Sequence, residues 1–374
     1  MKQVVNMARV SVGLLFIFSG LVKAIDPLGL AYKMQEFFDV WAAEGMMKGL
    51  MGWLNDYALW FSLFMITLEV VLGVALLLGW RTKIVSWLLL LMMLFFTFLT
   101  SYVLFSGKIR ACGCFGDCIP LTPIQTFTKD IVLLILVLVI LAGRKYIKPF
   151  LSDTLNISIF LISLFATISL QWYVLNHLPV KDCLPFKMGN NISELRKMPK
   201  DAIPDKFDYK FIYKKKGENK EFTVSALPDS SWEFVERKQV LIAEGKNNVP
   251  LINDFILKTE NGNDTTEAIL NRKAEYYFLF INEVPESRHA EWIKVFFKLY
   301  NEKKAAGVPV FVVTSHPKEV KELLNGQDKL EVIILTCDGT VIKTAARVNP
   351  TLFLMKGPVI QNKWAGNDFD KALK

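Results

Sequence analysis

Apolar residues run nearly unbroken through the first half of the chain and come in short bursts through the second. The stretches from about Val4 to Ala24, Tyr57 to Leu78, Ile84 to Leu104, Phe127 to Gly143 and Leu155 to Leu175 carry few charges. A bilayer core takes roughly 20 apolar residues as helix. The pattern therefore predicts five transmembrane helices, over 4–24, 57–78, 84–104, 127–143 and 155–175. The fourth is short and is expected to start from an interfacial turn near Pro123, a residue type suited to a helix start. The first is long for a signal core and has no small-residue cleavage site behind it, so it is expected to stay as helix. Between the first two helices, Tyr32, Met34, Phe37, Phe38, Val40 and Trp41 mix with Lys33, Glu36 and Asp39. That mixture predicts an amphipathic helix on the membrane interface or a packed lid over the bundle.

After about residue 176 the long apolar runs stop. Leu251–Leu257, Tyr276–Ile281, Val308–Val313 and Val332–Leu335 read as strands. Ser287–Ala305 and Pro317–Leu324 read as helices, and Thr351–Leu354 with Val359–Lys363 as a hairpin around Lys356-Gly357. Lys/Glu-rich strands such as Phe207–Tyr213 and Phe222–Val224 predict a small β extension before that domain. The fold class is thus a membrane α-helical bundle followed by a soluble α/β domain. The expected segments are a membrane domain over 1–149, a fifth transmembrane helix and exit over 150–178, a β-rich extension over 179–249 and the α/β domain over 250–374.

Lysines and arginines in short loops set orientation. Arg81 and Lys83 separate helices two and three, and Arg144, Lys145 and Lys148 separate four and five. Both loops should be cytoplasmic. The N-terminus is then cytoplasmic, and everything after the fifth helix lies outside, in the periplasm of a bacterial inner-membrane protein. Of 374 residues, 52% are hydrophobic and 21% charged, too apolar for one soluble domain. The net charge of +8 is spread along the chain without a basic stripe, which argues against nucleic acid as a partner.

The chemistry concentrates at Cys112, Cys114 and Cys118, three of five cysteines within seven residues just beyond helix three. Cys183 follows helix five, on the same side. A labile pair with a third thiol beside it permits disulfide exchange. Asp117 would raise a neighbouring thiol's pKa, and Lys108 and Arg110 would lower it. The alternative is a structural disulfide, Cys114–Cys118 or Cys118–Cys183. A metal site is disfavoured, since no histidine is near and paired CxxC spacing is missing. Glu69 lies mid-helix, where a carboxyl is costly and faces a partner or cavity. Lys23 and Asp130 are its candidate partners, for a proton or quinone-ring site or for an interhelical hydrogen bond. Cys337 reads as an incidental core or turn cysteine.

Gly13 to Lys23 followed by Asp26-Pro27 resembles the first helix of the DoxX family, and Glu69, Gly73 and Leu76 to Gly79 resemble its second. Cys112-Gly113-Cys114-Phe115-Gly116 resembles the motif of the MauE branch. The resemblance covers about 4–145 and implies a four-helix membrane core with quinone- or thiol-linked redox work. The order of elements after 250 resembles a thioredoxin-like domain of the peroxiredoxin/TlpA kind. Asn349-Pro350-Thr351 matches its cis-proline segment, which implies client binding by strand addition. The family's CxxC is missing, because Asn282–Ser287 holds no cysteine.

Two functions follow. One is a membrane thiol/disulfide or quinone-linked relay, with Cys112, Cys114, Cys118, Cys183 and Glu69 as reacting groups. Its cofactor would be quinone, and its partners membrane lipid and a periplasmic client or thiol protein. The other is a non-enzymatic membrane-anchored scaffold for maturation, assembly or secretion. Whether the protein is an enzyme stays open at this level.

Overall fold

The computed structural model describes residues 1–373 apart from 110–112, 216, 225, 244, 246–247, 285–290 and 325–330. Cys112 and Arg110 lie outside the described residues, as do the first four residues of the helix expected from Ser287. Among the described residues, five helices are long and apolar enough to cross a membrane: α1 (Lys2–Ala24), α4 (Ala58–Leu78), α5 (Thr82–Ser106), α6 (Pro123–Gly143) and α7 (Asp153–Asn176). The protein is a membrane protein. Trp60, Phe64, Leu91, Ile162 and Phe165 stand exposed on the bundle's flanks. Water would reject such a surface and lipid accepts it.

α1 and α4 pack closely because both are glycine where they cross. A Cβ on Gly73 would come 2.8 Å from the Gly13 carbonyl oxygen. Small residues let helix backbones approach in this way where lipid supplies no hydrophobic drive. α6 starts at Pro123, four residues earlier than its apolar run predicts. Thr122 and Gln125 form a reciprocal capping box and Pro123 fills the first turn, so the polar start is helix rather than interfacial turn.

The segment between α1 and α4 forms two helices, α2 (Pro27–Ala43) and α3 (Lys48–Asp56). Asp26 caps α2 by accepting from Gly29 N at 3.2 Å. Leu30, Met34, Phe37, Phe38 and Trp41 are buried against Ile66, Leu99 and Val103. The lid reading describes this packing. α2 closes the end of the bundle where α1 stops, α6 begins and α7 exits.

Beyond α7, a short helix α8 (Ile192–Leu195) precedes three antiparallel strands in the order β2-β1-β3: β1 (Lys206–Lys215), β2 (Glu218–Thr223) and β3 (Glu233–Ala243). The C-terminal unit holds α9 (Thr266–Leu270), β4 (Glu275–Ile281), α10 (Glu291–Ala305), β5 (Val310–Thr314), α11 (Pro317–Leu324), β6 (Ile333–Thr336), α12 (Gly339–Ala345), β7 (Thr351–Lys356) and β8 (Val359–Ala365). Its sheet runs β6-β5-β4-β7-β8. β4, β5 and β6 are parallel, whereas β7 and β8 are antiparallel to their neighbours. Aromatic residues of β4, with Phe311 and Phe353, fill the core on one face of the sheet.

Two expectations change here. Leu251–Leu257 is not a strand. Asp254 turns left-handed at φ 56°, and only Lys258 reaches the sheet edge, exchanging bonds of 2.9 and 2.8 Å with Thr336. Ile252, Phe255 and Leu257 are buried all the same, which explains their apolar pattern. Cys337, open to a turn reading, instead lies just before a capped helix. The Asp338 carboxylate accepts from Thr340 N at 2.8 Å and Val341 N at 3.3 Å and caps α12.

Candidate functional site

The loop between α5 and α6 enters the bundle. Gly113 and Gly116 take positive φ values of 71° and 58°, open to glycine without strain. Gly116 N donates to the Gly113 carbonyl at 2.9 Å. Ser19 Oγ donates to the Cys114 carbonyl oxygen at 3.1 Å, and the Phe115 ring packs 6.0 Å from Phe18. Ser19 lies five residues before the end of α1, about 7.5 Å along the helix. The sequence places the cysteines just beyond the helices, but Cys114 lies lower, between α1 and α6.

Cys114 lines a small cavity of about 20 Å³ together with Ser19, Lys23, Glu69, Phe96, Lys129 and Asp130. That volume is enough for about one water molecule. Lys23 and Glu69 form a buried ion pair, with side-chain exposures of 3% and 5%. The Lys23 ammonium also sits over the Phe96 ring at 4.9 Å. Across the cavity Lys129 Nζ meets Asp130 Oδ1 at 2.7 Å and lies 4.9 Å from the Phe115 ring centre. Asp130 Oδ2 is buried and makes no hydrogen bond among the described residues. The expected cluster of Glu69, Lys23 and Asp130 does assemble, around the Cys114 loop.

Cys118 and Cys183 form a disulfide. It ties the cysteine loop to the segment leaving α7, and both residues are partly exposed. Cys337 lies elsewhere, in the C-terminal core, where burial pushes its thiol up to about 11. A thiol that stays protonated at neutral pH is a poor nucleophile.

Of the charges the sequence offers as modulators, Lys108 and Asp117 are paired with other residues, and Arg110 lies outside the described residues. Lys108 pairs with Glu44. Asp117 pairs with Arg347 of the C-terminal unit at 2.7 Å. Arg347 also bonds Asp26 Oδ2 at 2.9 Å and covers the Tyr32 ring at 5.3 Å. Burial pushes the Tyr32 phenol up to about 12. Further contacts join the units, among them two ion pairs and a bond from the Asn367 amide to the Asn176 carbonyl at 3.1 Å. His177 Nδ1 and Asp368 Oδ2 are 2.9 Å apart, and Lys363 Nζ meets Asp182 Oδ2 at 2.7 Å.

Arg347 stands three residues before Pro350, whose bond to Asn349 is cis. That edge of the domain is therefore turned toward α2 and the cysteine loop. Asn349 Oδ1 accepts from Asn282 N at 2.9 Å, and its amide nitrogen donates to the Glu283 carbonyl at 2.5 Å. The Thr351 hydroxyl is buried against the Val348 carbonyl. The polar groups of the expected client-binding residues are thus already engaged within the domain.

The sequence reading missed Lys129, Ser19 and Arg347. Lys129 had a visible signal, a second charge beside Asp130 in an apolar run. Arg347 had none, since its partners are more than two hundred residues away.

The family described as methylamine utilisation protein MauE matches residues 1–143. That part of the chain is similar to MauE. The match takes in α1 to α6 and the Cys112–Cys118 loop, and ends at the last residue of α6. A family described only as a domain of unknown function matches residues 207–244, the stretch of β1 to β3. Protein TlpB of Flavobacterium psychrophilum is 30% identical over 131 residues, 34% of this chain and 34% of that protein. The chain spans about a third of the length of this curated relative. No solved structure matches.

Proposed function

We propose that the protein is a thiol/disulfide relay of a bacterial inner membrane, with its C-terminal unit on the periplasmic side. One observation carries the reading: Cys114 is held in a cavity walled by two ion pairs inside a membrane bundle. Charged groups at that depth are costly, and they recur where protons or ions move. The similarity of residues 1–143 to MauE supports a role in redox or maturation work.

In this reading a dithiol partner reaches the partly exposed Cys118–Cys183 disulfide. Its thiolate attacks one sulfur and the other leaves as thiolate. The partner's second thiol then closes the partner's disulfide. Two electrons now rest on Cys118 and Cys183. A disulfide between Cys112 and Cys114 takes them by a second exchange, which restores Cys118–Cys183. Re-oxidation of the Cys112 and Cys114 thiols needs an acceptor of two electrons and two protons, which is the chemistry a quinone would supply. Glu69 and Asp130 handle the protons. The cavity at Glu69 has room for water and not for a quinone ring. A lipid-facing groove of about 560 Å³ between α4 and α7, with Thr67 and Gln171 among its walls, has the size for one.

The strand order, the cis Asn349–Pro350 bond and the absence of cysteine from 282–287 support a thioredoxin-like domain without dithiol chemistry of its own. Its contact through Arg347 favours a second reading of that domain. It acts as a fixed scaffold over the cysteine loop, not as a mobile carrier. The test is the redox state of the loop in cells. Cys112→Ser and Cys114→Ser should each leave the partner's thiols reduced. Unchanged partner oxidation in both variants would refute the relay and leave the scaffold.

A further inference from the structure

We propose that the end of the bundle away from the C-terminal unit holds an anionic phospholipid, with its phosphate on Arg9. The site does not depend on the relay reading.

Five helices meet at that end. Val5 of α1 lies against Gly143 at the end of α6, where an added Cβ would come 2.2 Å from the valine. The last residue of α4, Leu78, accepts from Phe150 N at 3.0 Å, and Gly79 packs on the Lys148 carbonyl. α5 and α7 start beside them. The basic residues there are Lys2 and Arg9 on α1, Arg81 and Lys83 at the start of α5, and Arg144, Lys145 and Lys148 after α6. Against these stands a single acid, Asp153. None of these cations forms an ion pair among the described residues. The other end of the bundle treats charge differently. Lys23, Lys33, Lys108 and Lys129 are all paired with carboxylates.

Arg9 differs from its basic neighbours. They are exposed, whereas Arg9 is partly buried and its Nε is fully buried without a hydrogen bond among the described residues. It lies seven residues beyond Lys2, about 10 Å along the helix. Val5 and Gly13, one turn to either side on the same face, are packed on α6 and α4. Helical side chains lean toward the N-terminus, so the guanidinium is carried back toward this end. A cation at that depth calls for an anion, and the described residues supply none there. A phosphodiester does, and its two charged oxygens match the guanidinium fork. The acyl chains have a surface too, since Val4, Met7 and Leu14 leave α1 an exposed apolar flank. Trp80 and Tyr146, covered by Arg81 and Lys145 at 5.9 and 5.3 Å, are of the type that sits at headgroup depth. The excess of exposed cations draws anionic lipid to this end, and Arg9 fixes one molecule of it.

The test uses the full-length protein in phosphatidylcholine vesicles carrying spin-labelled phosphatidylglycerol or, separately, spin-labelled phosphatidylcholine. Electron paramagnetic resonance reads the motionally restricted fraction of each label at low and at high salt. Wild type should restrict the phosphatidylglycerol label preferentially, and part of that preference should survive high salt, which screens exposed charges. Arg9→Gln should abolish the salt-resistant part. Arg9→Lys should keep only some of it, since the charge stays and the fork is lost. Lys148→Gln should lower the salt-sensitive part alone. An unchanged restricted fraction of phosphatidylcholine reports a folded bundle. If Arg9→Gln loses that, Arg9→Lys decides alone, and a full salt-resistant preference there overturns the proposal. A folded Arg9→Gln protein with the preference of wild type also overturns it and leaves a diffuse surface charge. Inorganic phosphate that displaces the label at equal ionic strength would overturn the lipid assignment in favour of a site for the free anion.

Discussion

Arg347 Nη2 stands 2.7 Å from Asp117 Oδ2, joining the C-terminal unit to the loop that carries the cysteines. The same guanidinium bonds Asp26, where α1 ends and the lid begins. A planar fork between two carboxylates fixes orientation as well as distance. It places the edge bearing Pro350 over the loop.

Arg347→Ala should free the C-terminal unit from the bundle while each remains folded. Arg347 is 10% exposed but Asp117 is 45% exposed, so losing the fork costs about 1.5–3 kcal/mol at the contact. Proteolysis in the segment 177–185 should speed up at least tenfold, and Arg347→Lys should lie between. Unchanged cleavage would show that the remaining contacts, His177–Asp368, Lys363–Asp182 and Asn367–Asn176 among them, suffice to hold the units together.

The Cys118–Cys183 disulfide closes a span of 65 residues, for which chain entropy gives about 4 kcal/mol of stabilisation. Cys118→Ser and Cys183→Ser should destabilise equally, and the double variant no further. Thermal unfolding with and without reductant measures this. Unequal single variants would mean that the remaining cysteine finds another partner in the loop.

Glu69→Gln should destabilise strongly, because it leaves Lys23 charged and unpaired in the bundle. Replacing both, as Lys23→Met with Glu69→Leu, should recover much of the stability. It should not recover thiol oxidation if Glu69 moves protons. Recovery of both would reduce the pair to packing.

The contact at Asp368 should fail in acid. Burial alone would raise its pKa, but bonds from Lys371 and His177 outweigh that and hold it below the ordinary value of 3.8. A carboxyl with a depressed folded pKa contributes stability above 3.8, and that contribution is lost as pH falls through the folded value. Amide protection factors in 366–373, taken against the intrinsic exchange rate at each pH, should therefore be flat above pH about 5 and fall below 3.8. Protection that stays constant down to about pH 2 would contradict this.

The membrane half was readable because its physics is one-dimensional. A run such as Ile84–Leu104 needs only its length and lack of charge to declare a span. Strands buried on both faces, such as β4, announce themselves the same way. Ile252, Phe255 and Leu257 misled because burial in irregular backbone leaves the same apolar signal as a strand. At the site, Glu69 and the cysteines stood out by residue type and place. The partner of Asp117 did not, since Arg347 reaches it only through the docking of two separately folded units.

The most direct test is thiol trapping in intact cells. Proteins are alkylated with a mass-shifting reagent, with and without prior reduction, in wild type and in Cys112→Ser, Cys114→Ser, Cys118→Ser and Cys183→Ser. The relay requires a mixture of reduced and oxidised loop cysteines that shifts toward reduced when quinone reduction is blocked. Fully oxidised cysteines that ignore the block, in variants that still support the cell's thiol oxidation, would contradict it.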